Sequence, residues 1–193
     1  MKLKSQKVHD AILKAARAEF TERGYVKATI SKIAASAAIS PSNVYVYFQS
    51  KLEIMLAVYE PWFKSKVKSF LAQQDVTAET ENRIHALLTA LWSQIPGRRE
   101  GLTTPFMQAL AMATPEEKYN PELLIWTENK IAEELIEILG AESLTRDQAL
   151  AYAHLILITF DGVALRRNLQ GLPDRSARMV QEMAALLAGI KKT

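Results

Sequence analysis

The sequence predicts an all-α protein with a small N-terminal head and a larger helical body. Three observations carry this prediction. Apolar residues recur every three to four positions, the spacing of one helix face. The 193 residues include only seven glycines, and no run alternates apolar and polar as a half-buried strand does. Hydroxyl residues followed three positions later by Glu or Gln, a helix-start signature, occur at Ser50/Glu53, Thr114/Glu117 and Thr145/Gln148.

A first helix is expected over residues 5–23. Val8, Ile12, Ala15 or Ala16, and Phe20 keep the helical period, and Gly24 is its stop. Lys2, Lys4 and Lys7 form a basic arm that opposes the helix dipole. Its partner is either an anion such as DNA phosphate or plain solvent. Thr29 can cap a second helix whose inner face holds Ile33, Ala34 and Ala37. Ile39 falls in a tight turn. Ser40 can cap a third helix, with Pro41 at the first position, where a missing N–H costs nothing. Val44 and Phe48 face inward. Outward point Ser40, Ser42, Asn43, Tyr45 or Tyr47, Gln49 and Lys51, with no carboxylate between Thr29 and Lys51. Small donors on a short helix with a basic rim suit a reader of the DNA major groove.

A fourth helix opens with the Ser50/Glu53 capping box. Lys51 then sits at a helix N-terminus, where a cation is disfavoured unless it shares a phosphate with the free N–H groups. Leu52, Met55 or Leu56, Tyr59 and Phe63 continue an apolar face, and Pro61 is expected to break or kink the helix. In the body, Thr77 is expected to cap a helix over 78–95 that ends at Pro96-Gly97. Its inward residues are Ile84, Leu87 or Leu88, Leu91 and Ile95. Further helices are expected over 103–113, over 121–139 with Gly140 as stop, from Thr145 to about 169, and from Asp174 to about 190. A single turn is expected at Thr114–Glu117.

Residues 149–165 are apolar on nearly every side. These 17 residues, with His154, Asp161 and Gly162 among them, are too short and too polar for a good membrane span. The segment reads instead as a helix covered on one side by its own domain and on the other by a second copy of the chain. Val180, Met183 or Ala184, Leu187 and Ile190 of the last helix keep register with such a seam. Ala153, Gly162, Ala177 and Ala184 are small enough for close approach.

Charge is unevenly placed. Residues 1–51 hold nine Lys/Arg against three Asp/Glu, and the remainder fifteen against eighteen. A basic head suggests a polyanion partner at one end of the chain. The absence of cysteine excludes disulfides and thiolate-bound zinc. The start shows no long apolar stretch, so no signal peptide is read and a cytoplasmic location is expected. No glycine-rich phosphate loop, nucleophile elbow or His-Glu-x-x-His is present, so no enzyme, cofactor or metal is expected. His85, His154 and Asp161 do not have a spacing that demands a metal. Trp62, Phe63, Phe70, Trp92, Phe106, Met107, Met112, Trp126 and Phe160 either line an apolar ligand pocket or pack as core. Arg98 and Arg99 either flank the mouth of such a pocket or are solvated.

The set Phe20, Gly24, Tyr25, Thr29, Ile33, Ala34, Ile39, Ser40, Tyr45, Tyr47, Phe48 and Lys51 resembles the helix-turn-helix of the tetracycline-repressor (TetR) family. That family runs Phe-x-x-x-Gly-aromatic, then Thr, then Ile-Ala, a turn ending Gly-Val-Ser, then Tyr-x-aromatic-aromatic and a Lys opening the fourth helix. The likeness covers about a quarter of the chain. Two departures matter. Ala38 replaces the turn glycine, so this residue is either not strongly left-handed or strained. Pro41-Ser42-Asn43 replaces the usual Lys-Gly-Thr, so the base-reading positions differ from a common member.

The resemblance implies a DNA-binding domain over residues 1–50 and a ligand-binding and dimerisation domain over 51–193. It implies a homodimeric regulator, usually a repressor, that binds a palindromic operator and is released by a small hydrophobic effector. Thr29, Tyr45, Tyr47 and Lys51 would hold phosphates, Ser42 and Asn43 would reach bases, and Ser40 lies in the same interface. The effector would meet Phe63, Trp92, Phe106, Met107, Trp126 and Phe160. The last two helices would pair with a second copy through Leu155, Thr159, Val163, Arg166, Val180, Met183 and Leu187. Two other classes remain open: a ligand-binding helical dimer that has lost operator binding, and a helical enzyme.

Overall fold

The computed structural model describes residues 5–97, 101–117, 119–166, 169 and 171–190. The basic-arm residues Lys2 and Lys4, and the pair Arg98 and Arg99, lie outside the described residues. The described residues form α1 Gln6–Lys27, α2 Ile30–Ser36, α3 Pro41–Tyr47, α4 Lys51–Leu71, α5 Thr80–Thr89, α6 Thr103–Met112, α7 Glu122–Leu139, α8 Arg146–Arg166 and α9 Ser176–Ala188. A π-helical turn, Ala90–Gln94, continues α5, and a single 3-10 turn, Pro115–Glu117, precedes α7. The chain divides into two compact units. One is Met1–Ser65 with Arg99–Tyr119, the other Lys66–Arg98 with Asn120–Thr193. The first unit thus takes in most of α4 and all of α6, in addition to the residues before 51.

In the first unit, α1 packs on α2 and α6, and α2 on α3. Ile12, Ala16, Phe20, Ile33, Ala34, Val44, Ile54 and Met55 are fully buried there. Gly24 breaks the helical backbone at φ 73°, ψ 168°, and one further turn carries α1 on to Lys27. The helix therefore bends at the expected stop and does not end there. The end of α2 is a Schellman motif. Ile39 N–H donates to Ala34 O (3.0 Å) and Ala38 N–H to Ala35 O (3.1 Å). That motif needs a left-handed residue after the cap, and Ala38 fills it at φ 56°. Of the two alternatives posed by the missing glycine, strain is the one found.

Pro61 sits inside α4 without ending it. The lost N–H is tolerated inside the helix, where the sequence suggested a break or a kink.

In the second unit, α5 packs against α7 and α9, and α7 against α8. The buried Trp92 indole N–H donates to Ile156 O at 3.0 Å, fixing the π turn to α8. Arg83 bridges from α5 to Glu134 (3.5 Å) and Glu137 (3.1 Å) on α7. Burial raises the Glu134 carboxyl above its usual value despite that guanidinium. Thr77 does not cap α5. Its N–H and hydroxyl both turn to Asp75 Oδ1, at 2.9 and 2.6 Å, and the helix starts at Thr80. Short-range turn bonding there outcompetes the cap.

By length and composition, α8 alone among the described residues could cross a bilayer. One stripe, including Ala149, Ala153, Ile156, Leu157 and Phe160, is buried in its own unit. The other side leaves Leu155, Ile158 and Leu165 at 56, 53 and 50% exposure. On α9, Val180 and Leu187 are buried, while Leu186 and Met179 are exposed. Val180, Leu187 and Val163 are thus buried within the chain's own unit. Helical periodicity marks an apolar stripe but cannot say which of two stripes faces out.

Two outcomes follow from these placements. Ala38→Gly removes a left-handed strain of about 1–2 kcal/mol, against a glycine entropy cost of about 0.5–1 kcal/mol. It is expected to raise the chemical-denaturation midpoint slightly; a lowered midpoint counts against strain at this turn. Burial also pushes the Asp161 carboxyl from 3.8 up to about 6. The folded chain therefore holds this proton more tightly than the unfolded chain, and stability falls as pH rises between those values. Asp161→Asn is expected to raise the melting temperature above about pH 7 and to leave it unchanged near pH 3, as read by thermal scans across pH.

Candidate nucleic-acid interface

The head is built by local caps. Thr29 Oγ1 accepts from Lys32 N–H (3.3 Å) at the start of α2, and Ser40 Oγ accepts from Asn43 N–H (3.2 Å) at the start of α3. Pro41 occupies the first position of α3. Ser50 Oγ accepts from Glu53 N–H (3.0 Å), while the Glu53 carboxylate reaches back to Gln49 N–H at 2.5 Å.

With Val44 and Phe48 buried, α3 turns Ser42, Asn43, Tyr45 and Val46 to solvent. Tyr45 is the phenol that points outward. Tyr47 is half-buried, and its hydroxyl accepts from the Ser5 N–H at 3.0 Å. Its ring and that of Phe48 pack beside His9, whose imidazole stacks on Phe48 with centroids 5.2 Å apart. Ser40 and Ser42 hydroxyls bond one another at 2.9 Å. The Asn43 carboxamide makes no hydrogen bond among the described residues. Lys27 and Lys32 lie exposed on either side of Thr29.

Lys51 has a different setting from the one its sequence position suggested. Its ammonium donates to Tyr25 O (2.9 Å) and Ala28 O (3.1 Å), and lies 4.1 Å from the Tyr25 ring centroid. Burial lowers its pKa from the usual lysine value. Burial also pushes the Tyr25 phenol up to about 12, with Glu117 adding to the shift. The cation that α4's N-terminus disfavours is thus welcomed by the carbonyls ending α1. Two of its three donors are used.

Sequence reasoning overlooked Val46. Its outward position was legible in its spacing, since two residues from the buried Val44 is roughly 200° around a helix.

The residues expected to hold an effector fall in both units. In the first, Phe106 stacks on Tyr59 at 3.9 Å, Phe63 stacks on Tyr59 at 5.4 Å, and Met107 is buried. In the second, Trp92 and Phe160 are buried and Trp126 is half-buried. None of the six lines the cavity of about 780 Å3 in the second unit. That cavity is bordered by Thr159, Gly162, Val163 and Arg166 of α8, by Leu169 and Leu172–Arg175, and by Ser176 and Met179 of α9. Among the described residues, no group of three or more His, Cys, Asp or Glu is placed to hold a metal.

Residues 12–58 match the family profile of bacterial regulatory proteins, tetR family. The chain is 27% identical over 154 residues to the HTH-type transcriptional activator FasR of Mycolicibacterium smegmatis. The match covers 80% of this chain but 66% of that protein, just under two thirds of its length. Its fold is similar to that of the fatty acid degradation regulator FadR from Bacillus halodurans, with TM-score 0.66, 22% identity and 100% of both chains covered. FadR from Bacillus subtilis in complex with stearoyl-CoA has a TM-score of 0.64 at 20% identity, covering 95% of this chain and 99% of that one. The family is one of regulators and not of enzymes. With this profile over residues 12–58 and a capped helix-turn-helix, the chain carries a TetR-family DNA-binding domain of transcriptional regulators within an all-helical fold like theirs.

Proposed function

We propose that the chain acts in the cytoplasm as a homodimeric repressor, released from a palindromic operator by a hydrophobic effector of the long-chain acyl-CoA class. The observation that carries the pairing is the exposed apolar stripe of α8, where Leu155, Ile158 and Leu165 are each at least half exposed. Gly162 supports it: a Cβ there would meet nothing within 4 Å, so its own chain does not require the small residue. A second copy approaching α8 would. Thr159, Val163 and Arg166 border the 780 Å3 cavity, so on this reading a second copy closes that space. Leu155, Thr159, Arg166 and Met183 are the expected seam residues that the chain's own core leaves at least partly open.

The acyl-CoA class is supported by the two FadR likenesses, one of them with stearoyl-CoA bound. An effector acts only through its differential affinity for two states. The heads of a dimer would enter successive major grooves roughly 34–36 Å apart. Thr29, Tyr45 and the remaining donor of Lys51 would meet phosphate, and Asn43 would meet an adenine edge. A second reading, activation, is favoured by the match to FasR, which is named an activator. In vitro transcription from a promoter carrying the operator separates the two.

The first test is release. Stearoyl-CoA is expected to weaken operator binding by about 5–150-fold, the usual range of allosteric coupling, while free CoA has no effect. Equal affinity with and without stearoyl-CoA discards the effector class. The second test is the head. Asn43→Ala is expected to relax preference at one base pair, worth about 1–3 kcal/mol. Lys51→Ala is expected to weaken every duplex alike and to lower the slope of log affinity against log salt by about one per head. Because the same ammonium holds two carbonyls, this variant also melts lower, so the slope and not the affinity is diagnostic. Unchanged binding in both variants would remove α3 and its rim from the interface.

A further inference from the structure

We propose that Val46 is a specificity residue that reads a thymine methyl group. Val46 is 50% exposed, whereas Val44 on the same short helix and Phe48 at its C-cap are buried. At about 100° per residue, the direction opposite Val44 and Phe48 falls on Val46. Ser42, four positions earlier, and Asn43, three earlier, share that side. An isopropyl group therefore stands at the apex of the exposed face of α3, between a hydroxyl and a carboxamide. The fold gains little from its exposed half. A β-branched residue is a weak helix former, and this one buries little against its own chain.

The occupant of this face is set by its surroundings. Thr29 to Lys51 contains no carboxylate, and the exposed lysines Lys27 and Lys32 are close in sequence. Duplex DNA fits that charge, and within the major groove the thymine C5-methyl is the apolar feature of the base edges. The neighbouring polar groups are unequal. Ser42 is bonded to Ser40, while the Asn43 carboxamide is uncommitted among the described residues. Asn43 then reads an adenine edge, and Val46 reads a thymine methyl at an adjoining step. This inference rests on the reading that α3 enters the groove.

The test uses the full chain and an operator selected from a pool of random duplexes. Each thymine is replaced in turn by deoxyuridine, which removes only the methyl. Wild-type protein is expected to bind roughly three- to tenfold more weakly at one thymine per half-site, next to the pair relaxed by Asn43→Ala. Val46→Ala is expected to lose that discrimination, and Val46→Thr, which keeps one methyl and the shape, to retain part of it. Melting curves and low-salt binding to random duplex confirm that both variants fold and hold phosphate. A thymine scan without effect on the wild type, or an effect that persists in Val46→Ala, overturns the proposal while leaving operator binding intact. A pool that enriches no sequence overturns the operator reading and this one with it.

Discussion

One ammonium group holds the head together. Lys51 opens α4, yet its Nζ donates to Tyr25 O and Ala28 O at the end of α1 and lies against the Tyr25 ring. The bend at Gly24 makes this possible. Its positive φ turns the last part of α1 so that carbonyls with no helical partner face one cation. The same bend exposes the Tyr25 N–H, which donates to Gln108 Oε1 of α6 at 2.9 Å. The backbone angle requires glycine, and a Cβ at Gly24 would lie 2.9 Å from that oxygen, so a side chain there would push the Gln108 carboxamide aside. Three helices are thus tied at one residue pair, Gly24-Tyr25. This knot also explains why the first compact unit includes α6, which sequence order places among the body helices.

The caps were legible in the sequence because they are local. Thr29, Ser40 with Pro41, Ser50 with Glu53, and Thr145 with Gln148 each use groups a few residues apart, and nothing distant competes for them. Thr77 failed for the same reason in reverse: Asp75, two residues away, offered its N–H and hydroxyl a nearer partner. Long-range facts were not legible. No spacing rule connects Lys51 to the end of α1, or Gln108 to Tyr25. Periodicity found the apolar stripes of α8 and α9 but not their direction. Val180, Leu187 and Val163 went to the chain's own core, while Ile158, Leu165 and Leu186, not singled out, remain exposed. Val46 was hidden by the habit of turning every apolar residue inward.

Within α8 two demands compete. A helix that covers its own core and also offers an apolar outer stripe has little room for charge. Asp161 is an exception, and its carboxyl is pushed up to about 6 by burial. Its cost falls on the ionised form, so the group weakens the fold most at neutral pH. His154 on the same helix is exposed, with Nδ1 2.5 Å from Glu128 of α7. If a second copy covers the outer stripe, Asp161 loses still more solvent, and its preference for the protonated form deepens.

The head itself supplies an argument for pairing. Much of its hydrogen-bonding capacity is spent on its own shape. Ser40 and Ser42 bond each other, Ser40 also caps α3, Thr29 caps α2, Tyr47 accepts from Ser5, and Lys51 holds α1. On the proposed reading, what α3 has left for base edges is chiefly one carboxamide and one isopropyl group. A good base contact discriminates by about 1–3 kcal/mol, whereas regulators separate their sites from bulk DNA by about 4–10 kcal/mol. On the proposed reading one head falls short, and a second would contribute. The pairing proposed above, through the exposed stripe of α8, far along the chain from α3, would bring that second head.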